Sequence, residues 1–374
     1  MAFELPEYRA PSFHEAPLRD APEVRASPAE RDGIAPSGYH ATSVFPEYFK
    51  VGGAWLLPEE SRMDCVVVVR KEGGAPSLDV VEFRRLKRGD AVVLGRTEDG
   101  REGIFVDSRA FLPEEAGESP DAFAFRSGRS RETSYSRNYD ELYELLRYER
   151  EHGYIAWVLG PAVAFDYDAR LAMTALVENG YVHALLAGNA LATHDLEAAL
   201  LKTALGQDIY TQKNQPNGHY NHLDLINTAR RLGSLEKLAG NEEINEEINE
   251  KIADGIVRAV LKKGIPLILA GSIRDDGPLP GVIADAYEAQ DAMRSAARKA
   301  TTVVALATQL HTIAFGNMTP SYTVRDGRPR PVYFYSVDVS EFAVNKLRDR
   351  GTLSAIPIVA NVQDFLVHLK NNLC

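Results

Sequence analysis

From Asn138 onward, short apolar runs alternate with segments in which apolar residues recur every three to four positions. The runs are Ile155–Leu159, Tyr181–Ala187, Ile265–Ala270, Thr301–Ala307, Val332–Val337 and Ile356–Ala360. Each has a strand's length and is apolar at successive positions, the pattern of a strand buried on both faces. With helix-period segments between them, the runs predict an α/β fold: a doubly wound, mostly parallel sheet over residues 129–374. Its first helix is expected to start at Asn138, with Glu141 as the reciprocal capping partner. Leu142, Leu145, Leu146 and Tyr148 would then form the apolar face of that helix.

Upstream the period changes. Met63–Arg70, Leu78–Phe83, Ala91–Leu94 and Gly103–Val106 are strand-like runs separated by Gly, Glu and Lys clusters. They predict a small β-rich domain over residues 39–128, a barrel or a sandwich, whose end is a polar Gly- and Ser-rich linker near 113–136. Residues 1–38 are rich in Pro, Glu, Arg and Ala and show little apolar period. They are expected to form an extension that wraps on a neighbour or stays mobile. The repetitive Glu242–Lys251 stretch is expected to be a structural helix, with Ile244, Ile248 and Ile252 on one face.

What ends each apolar run bears on function. The ends are Gly160-Pro161, Gly188-Asn189, Gly271-Ser272, Thr308-Gln309, Asp338 and Asn361. In an open α/β sheet such ends line one crevice, and ligands bind there. The end at 266–280, PLILAGSIRDDGPLP, concentrates polar groups in Ser272, Arg274, Asp275 and Asp276, and its two prolines stiffen the exit before a helical pattern from Val282. At Gly188-Asn189 a glycine allows close backbone approach, and the following helix presents N–H groups to an anion. Thr193 or Asp195 is expected to cap that helix. Asp338 closes its run where a nucleotide fold accepts hydrogen bonds from a ribose, although aspartate is also ordinary turn chemistry there. His219 and His222 lie three apart without a further ligand at metal spacing, so no metal is expected. Neither GxGxxG, nor a Walker A loop, nor HExxH occurs.

Composition narrows the partners. Lys plus Arg is 42 against 53 for Asp plus Glu, a net charge of −11, which argues against nucleic acid and against anionic membranes. Cys65 and Cys374 are too few for a disulfide framework. No apolar run reaches the roughly 20 residues of a membrane span. Glu4, Glu7 and several prolines stand where a secretory leader would be basic and then apolar, so a cytoplasmic location is expected.

The segments AGNALATHDLE, LAGSIRDDGPLP, ATQLHTIAFGN and VDVSEFAVNKLRDRG, with GGAWLLPEESRMDC upstream, resemble the archaeal-type ornithine cyclodeaminase family. That family shares a region with lysine-oxoglutarate reductase/saccharopine dehydrogenase, and it also occurs fused to cyanobacterial arginine dihydrolase. The resemblance covers roughly residues 39–369. It implies NAD as cofactor and a redox-neutral conversion of ornithine to proline with release of ammonia. It would place the dinucleotide on Asn189 and Ala190, on Asp275, on Thr308, Gln309, Leu310 and His311, on Asp338, and on Asn361 with Val362. For the chemistry it implies Asp275 or Asp276 in ammonium binding or proton transfer, and Arg274 as a carboxylate fork. His311 and His194 are the alternative acid–base groups. The expected partners are an amino-acid substrate and further copies of the chain, in a dimer or tetramer.

Several features depart from the family pattern. The family's small N-terminal α/β domain has no visible counterpart, and Phe165-Asp166, Ser340-Glu341 and Asn361 replace usual family residues. They leave open another NAD-dependent amino-acid dehydrogenase or lyase, or a non-catalytic homologue that binds NAD and a metabolite.

Overall fold

The structure is a computed structural model, and it describes residues 3–70, 74–111, 134–240, 252, 254–273, 275, 277–348 and 355–374. It opens with strands β1 (Arg25–Pro28), β2 (Glu47–Val51), β3 (Ala54–Leu56), β4 (Val66–Arg70), β5 (Ser77–Val81), β6 (Ala91–Leu94) and β7 (Ile104–Val106). These build two antiparallel sheets, ordered β1-β6-β4-β5 and β3-β2-β7. Phe49, Val51 and Ile104 of one sheet share a buried cluster with Val67, Val69 and Val93 of the other, so the sheets pack face to face. Val66, Val68 and Val92 point the opposite way, onto Leu86, as a period of two requires.

Within the proline-rich stretch 1–38, β1 pairs with β6 from Arg25↔Leu94 to Pro28↔Ala91. The Phe3 ring lies 5.4 Å from that of Tyr148 and 5.8 Å from that of Tyr333. The described part of this stretch therefore folds onto its own chain. Most of the 113–136 linker and the Glu242–Lys251 stretch lie outside the described residues.

The second half runs α1 (Ser134–His152), β8 (Ile155–Leu159), α2 (Tyr167–Glu178), β9 (Ala184–Gly188), α3 (Asn189–Leu201), β10 (Thr203–Ala204), β11 (Gln207–Asp208), α4 (Asn221–Leu232) and α5 (Ile256–Lys262). It continues β12 (Leu267–Ala270), α6 (Ala286–Ala297), β13 (Thr302–Leu306), α7 (Gln309–Met318), β14 (Tyr322–Arg325), β15 (Arg328–Pro331), β16 (Tyr333–Asp338), α8 (Glu341–Arg348), β17 (Ala355–Val359) and α9 (Val362–Leu373). Helix α1 starts a turn earlier than Asn138, since residues 134–137 hold neither glycine nor proline to stop it. Strand β9 starts later than Tyr181, whose carbonyl accepts the Trp157 indole N–H at 2.8 Å.

The large sheet has six strands in the order β12-β9-β8-β13-β16-β17, all parallel. Counted within the sheet this is 3-2-1-4-5-6, the order of the dinucleotide-binding fold, with its reversal between β8 and β13. Alternate residues feed two cores. Trp157, Leu159, Leu185, Leu306 and Val337 pack under α2, α3, α5 and α9. Val158, Leu186, Val303 and Phe334 pack under Met293 of α6 and Phe315 of α7. The β14–β15 hairpin was not predicted, although Asp326-Gly327, at φ +52° and +73°, is a turn with a sequence signature. Its Tyr322 hydroxyl donates to the Pro58 carbonyl at 3.2 Å and ties the hairpin to the β-rich half. Among the described residues no helix is long and apolar enough to cross a membrane.

Candidate active site

Since every strand of the large sheet is parallel, their carboxyl ends open on one edge. At the reversal the chain leaves β8 through Gly160 and β13 through Ala307. The two backbones touch there: a β-carbon on Gly160 would lie 1.9 Å from the Ala307 carbonyl oxygen. Only glycine fits. Ala307 is itself left-handed, at φ +50°, and turns the chain sharply into α7.

Two helices begin at this edge without a side chain on their first N–H groups. Helix α3 follows Gly188 directly, and the Thr308 hydroxyl makes no capping bond to α7. By contrast α2, α6 and α9 are closed by Asp166, Asp285 and Asn361. Free helix N-termini carry partial positive charge and unpaired donors, and they attract anions.

His311, in the first turn of α7, leans across to β9. A β-carbon on Gly188 would sit 2.9 Å from its Cε1. Its Nδ1 lies 3.4 Å from Thr308 Oγ1. Burial pushes the imidazole below its ordinary pKa, and Asp275 pulls it partly back. The structure thus gathers the ends of β9 and β13 and the loop after β12 around one imidazole.

That loop departs from the helical pattern expected at Val282. Ile283 N donates to Leu269 O at 2.9 Å and Ile283 O accepts from Gly271 N at 2.8 Å, so the chain returns alongside β12. Helix α6 waits for Asp285, whose carboxylate accepts from Tyr287 N and Glu288 N at 2.8 and 2.9 Å. Asn189 Oδ1 accepts from Leu279 N at 3.0 Å and pins the loop to α3. Asp275 spends one oxygen on Ser272 N, at 2.8 Å. Arg274 and Asp276 lie outside the described residues.

Further along the edge, Asp338 ends β16, and its Oδ1 accepts from Ser340 N at 2.9 Å. Asn361 commits its Oδ1 to Gln363 N at 2.8 Å, and Val362 is buried behind it. Ala190, Gln309 and Leu310 are exposed in the first turns of α3 and α7.

His194 stands apart from this group. Its Nδ1 lies 2.9 Å from Glu197 Oε2, and its ring meets Phe165 and His222 with centroids 5.3 and 6.4 Å away. Glu197 is fully buried and also accepts from Thr203 Oγ1 at 2.8 Å. The sequence reading missed this carboxylate, although a spacing of three on a helix was its signal. Asp195 corrects an expectation. It does not cap α3; it accepts from Ile256 N and Val257 N of α5 at 3.1 and 2.8 Å, and from Arg170 Nε at 2.9 Å. The Thr193 hydroxyl instead donates to Asn189 Oδ1 at 3.4 Å.

These features fit a dinucleotide. Backbone excludes a side chain at Gly160, only the His311 imidazole opposes one at Gly188, two uncapped helix N-termini offer donors to a pyrophosphate, and a carboxylate lies beyond them. From β9 to β16 is three strand spacings, roughly 14 Å at about 4.8 Å each, the scale of an extended dinucleotide. Among the described residues no group of three or more His, Cys, Asp or Glu could hold a metal ion.

Known proteins bear on this geometry. Residues 141–369 match the family described as "Arginine dihydrolase ArgZ-like, C-terminal, Rossmann fold". The ornithine cyclodeaminase of Methanocaldococcus jannaschii is 37% identical over 365 residues, 96% of this chain and 79% of that protein. This chain belongs to the ornithine cyclodeaminase family. A crystal structure of an LOR/SDH protein from Methanococcus maripaludis S2 superposes with a TM-score of 0.80 at 35% identity, over 94% of this chain and 98% of the other. The complex of AgrE with ornithine and NAD⁺ superposes with a TM-score of 0.55 at 28% identity, covering 95% of this chain and 46% of AgrE. The family likeness therefore spans the β-rich sheets as well as the parallel sheet.

Proposed function

We propose that this chain is an NAD-dependent cyclodeaminase, which converts ornithine or a closely related diamino acid to proline or its cyclic counterpart and releases ammonia. The carrying observation is the pair of uncapped helices α3 and α7 flanking the reversal, with Asp338 beyond them, in a member of this family. AgrE, which shares the fold, has been crystallised with ornithine and NAD⁺ together.

The N–H groups of Asn189-Ala190 and of Thr308–His311 face the pyrophosphate, and Asp338 accepts from a ribose. Leu310 and Val339, 71% and 70% exposed, offer apolar cover to the rings. Bound NAD⁺ supplies a hydride acceptor that gives the same hydride back, so the reaction is redox-neutral overall.

The chain's own groups handle the substrate. Asp275 holds an ammonium, and the half-buried His311 beside it, kept neutral by burial, accepts its proton. Gly188 lets the imidazole approach that close. Arg274 takes the α-carboxylate as a fork, and Asp276 is the second candidate for the ammonium. His194, oriented by Glu197, is the alternative acid–base group.

The test is ammonia release from ornithine, lysine, arginine and diaminobutyrate with a catalytic amount of NAD⁺. Ornithine should be turned over fastest. Release from none of them overturns the proposal, and NADH appearing in step with turnover marks a dehydrogenase instead.

A further inference from the structure

The loop after β12 is tied down at two places. At its base Gly271 N donates to Ile283 O at 2.8 Å, and Ile283 N donates to Leu269 O at 2.9 Å. Its far end is held by side chains from two helices. Arg230, in the last turn of α4, donates its Nε–H to Pro278 O at 3.2 Å. Asn189, the first residue of α3, accepts from Leu279 N at 3.0 Å. Pro278 O and Leu279 N belong to one planar peptide unit. A single peptide is therefore gripped by both of its polar groups, which fixes a rotation that either bond alone would leave free.

Between the two ties stands the part of the loop that carries Asp275. Asp275 closes a turn on Ser272: its N donates to Ser272 O at 3.1 Å, and its Oδ2 accepts from Ser272 N at 2.8 Å. Those bonds fix the shape of the turn but not its place. No core anchors it either, since Ile273 projects fully into solvent, whereas Leu279 of the gripped peptide is 2% exposed. The place of the turn follows from its two ends. At the far end the Arg230 guanidinium also lies along Gly277, where a β-carbon would sit 3.5 Å from Nη1 and 3.9 Å from Cζ. The grip thus reaches to within two residues of Asp275, the carboxylate whose charge acts on His311.

We propose that Arg230 is a positioning residue: through the Pro278–Leu279 peptide it sets where Asp275 stands relative to His311. Asn189 ties the same peptide to the first turn of α3, so the Asp275 turn and the start of that helix move as one unit. The placement of Asp275 is independent of the cyclodeaminase reading, and only its consequence for turnover rests on that reading.

An NMR titration of the full chain without ligand tests it, the His311 signal being identified by its loss in His311→Gln. Arg230→Met removes the donor to Pro278 O, and the His311 midpoint should fall toward that of Asp275→Asn. The sign is decisive, because losing a nearby cation raises the midpoint of an imidazole, whereas losing a nearby carboxylate lowers it. Arg230→Lys can still donate to the carbonyl and should keep the wild-type midpoint. Arg231→Met, the same change of charge one residue further along α4, should keep it as well. In an Asp275→Asn background Arg230→Met should cause no further fall. With ornithine and NAD⁺, Arg230→Met should lower kcat/KM about 10-fold or more, and Arg230→Lys should recover most of that loss. Three results overturn the proposal: a His311 midpoint that stays or rises in Arg230→Met, an equal fall in Arg231→Met, or a further fall in the Asp275→Asn background. A wild type that releases no ammonia from ornithine sinks the cyclodeaminase reading instead, and the titration still decides the role of Arg230.

Discussion

The imidazole of His311 rests against the backbone of Gly188, so closely that a β-carbon there would sit 2.9 Å from Cε1. Gly188 has φ −93° and ψ 169°, extended backbone open to any residue. Gly188→Ala therefore leaves the backbone unstrained and displaces the imidazole. We expect kcat/KM to fall about 10- to 100-fold, as for other small misplacements of reacting groups. The melting temperature should stay within about 3 °C of wild type. Unchanged kinetics would remove His311 from the site.

Asn189 separates loop anchoring from anion binding. Asn189→Ala removes the acceptor for Leu279 N and should cost about 1–2 kcal/mol in urea unfolding. Asn189→Asp keeps that acceptor and so keeps the stability. It also brings negative charge to the first turn of α3, and calorimetry should show weaker NAD⁺ binding. Equal stabilities for the two variants would contradict this.

The buried state of His311 should appear in pH dependence. Burial lowers its pKa more than Asp275 raises it. The unfolded chain titrates near 6.5, so between that value and the lower folded value the unfolded state binds more protons. Stability from this group is fully present above about pH 6.5 and declines as pH falls through that window. His183, lowered by burial as well, acts in the same direction, so wild type must be compared with His311→Gln. The variant should show the shallower decline. In an NMR titration His311 should have a midpoint below 6.5, lower still in Asp275→Asn. A rise in that variant would contradict the assignment.

The parallel sheet was legible because each of its strands is apolar on both faces and ends in Gly, Thr, Asp or Asn. Those strand ends were legible too, and they carry Asn189, Asp275, His311 and Asp338. The remaining features depend on partners distant in sequence. Asp195 reads locally as a helix cap, yet its ligands are Arg170 and Ile256, 25 and 61 positions away. Asn189 meets Leu279 across 90 positions. The stretch from Val282 reads as helical by its period, and the unpaired edge of β12 captures Ile283 instead.

Asp338 should decide the cofactor. A carboxylate at a strand end accepts from both hydroxyls of the NAD ribose and repels the 2′-phosphate of NADP. Competition binding should favour NAD over NADP. Asp338→Ala should lose about 1–3 kcal/mol of NAD affinity, the usual cost of a charge-assisted partner. A preference for NADP, or unchanged NAD affinity in the variant, would place the ribose elsewhere.

The central claim is a redox-neutral cyclodeaminase, and one isotope measurement addresses it directly. Ornithine deuterated at its α-carbon is incubated with the protein and a trace of NAD⁺, and the product is analysed by mass spectrometry while NADH absorbance is followed. The account predicts proline that retains the deuterium, one ammonia per proline over many turnovers of the cofactor, and no accumulation of NADH. Proline without deuterium, or NADH formed in proportion to ammonia, would contradict it.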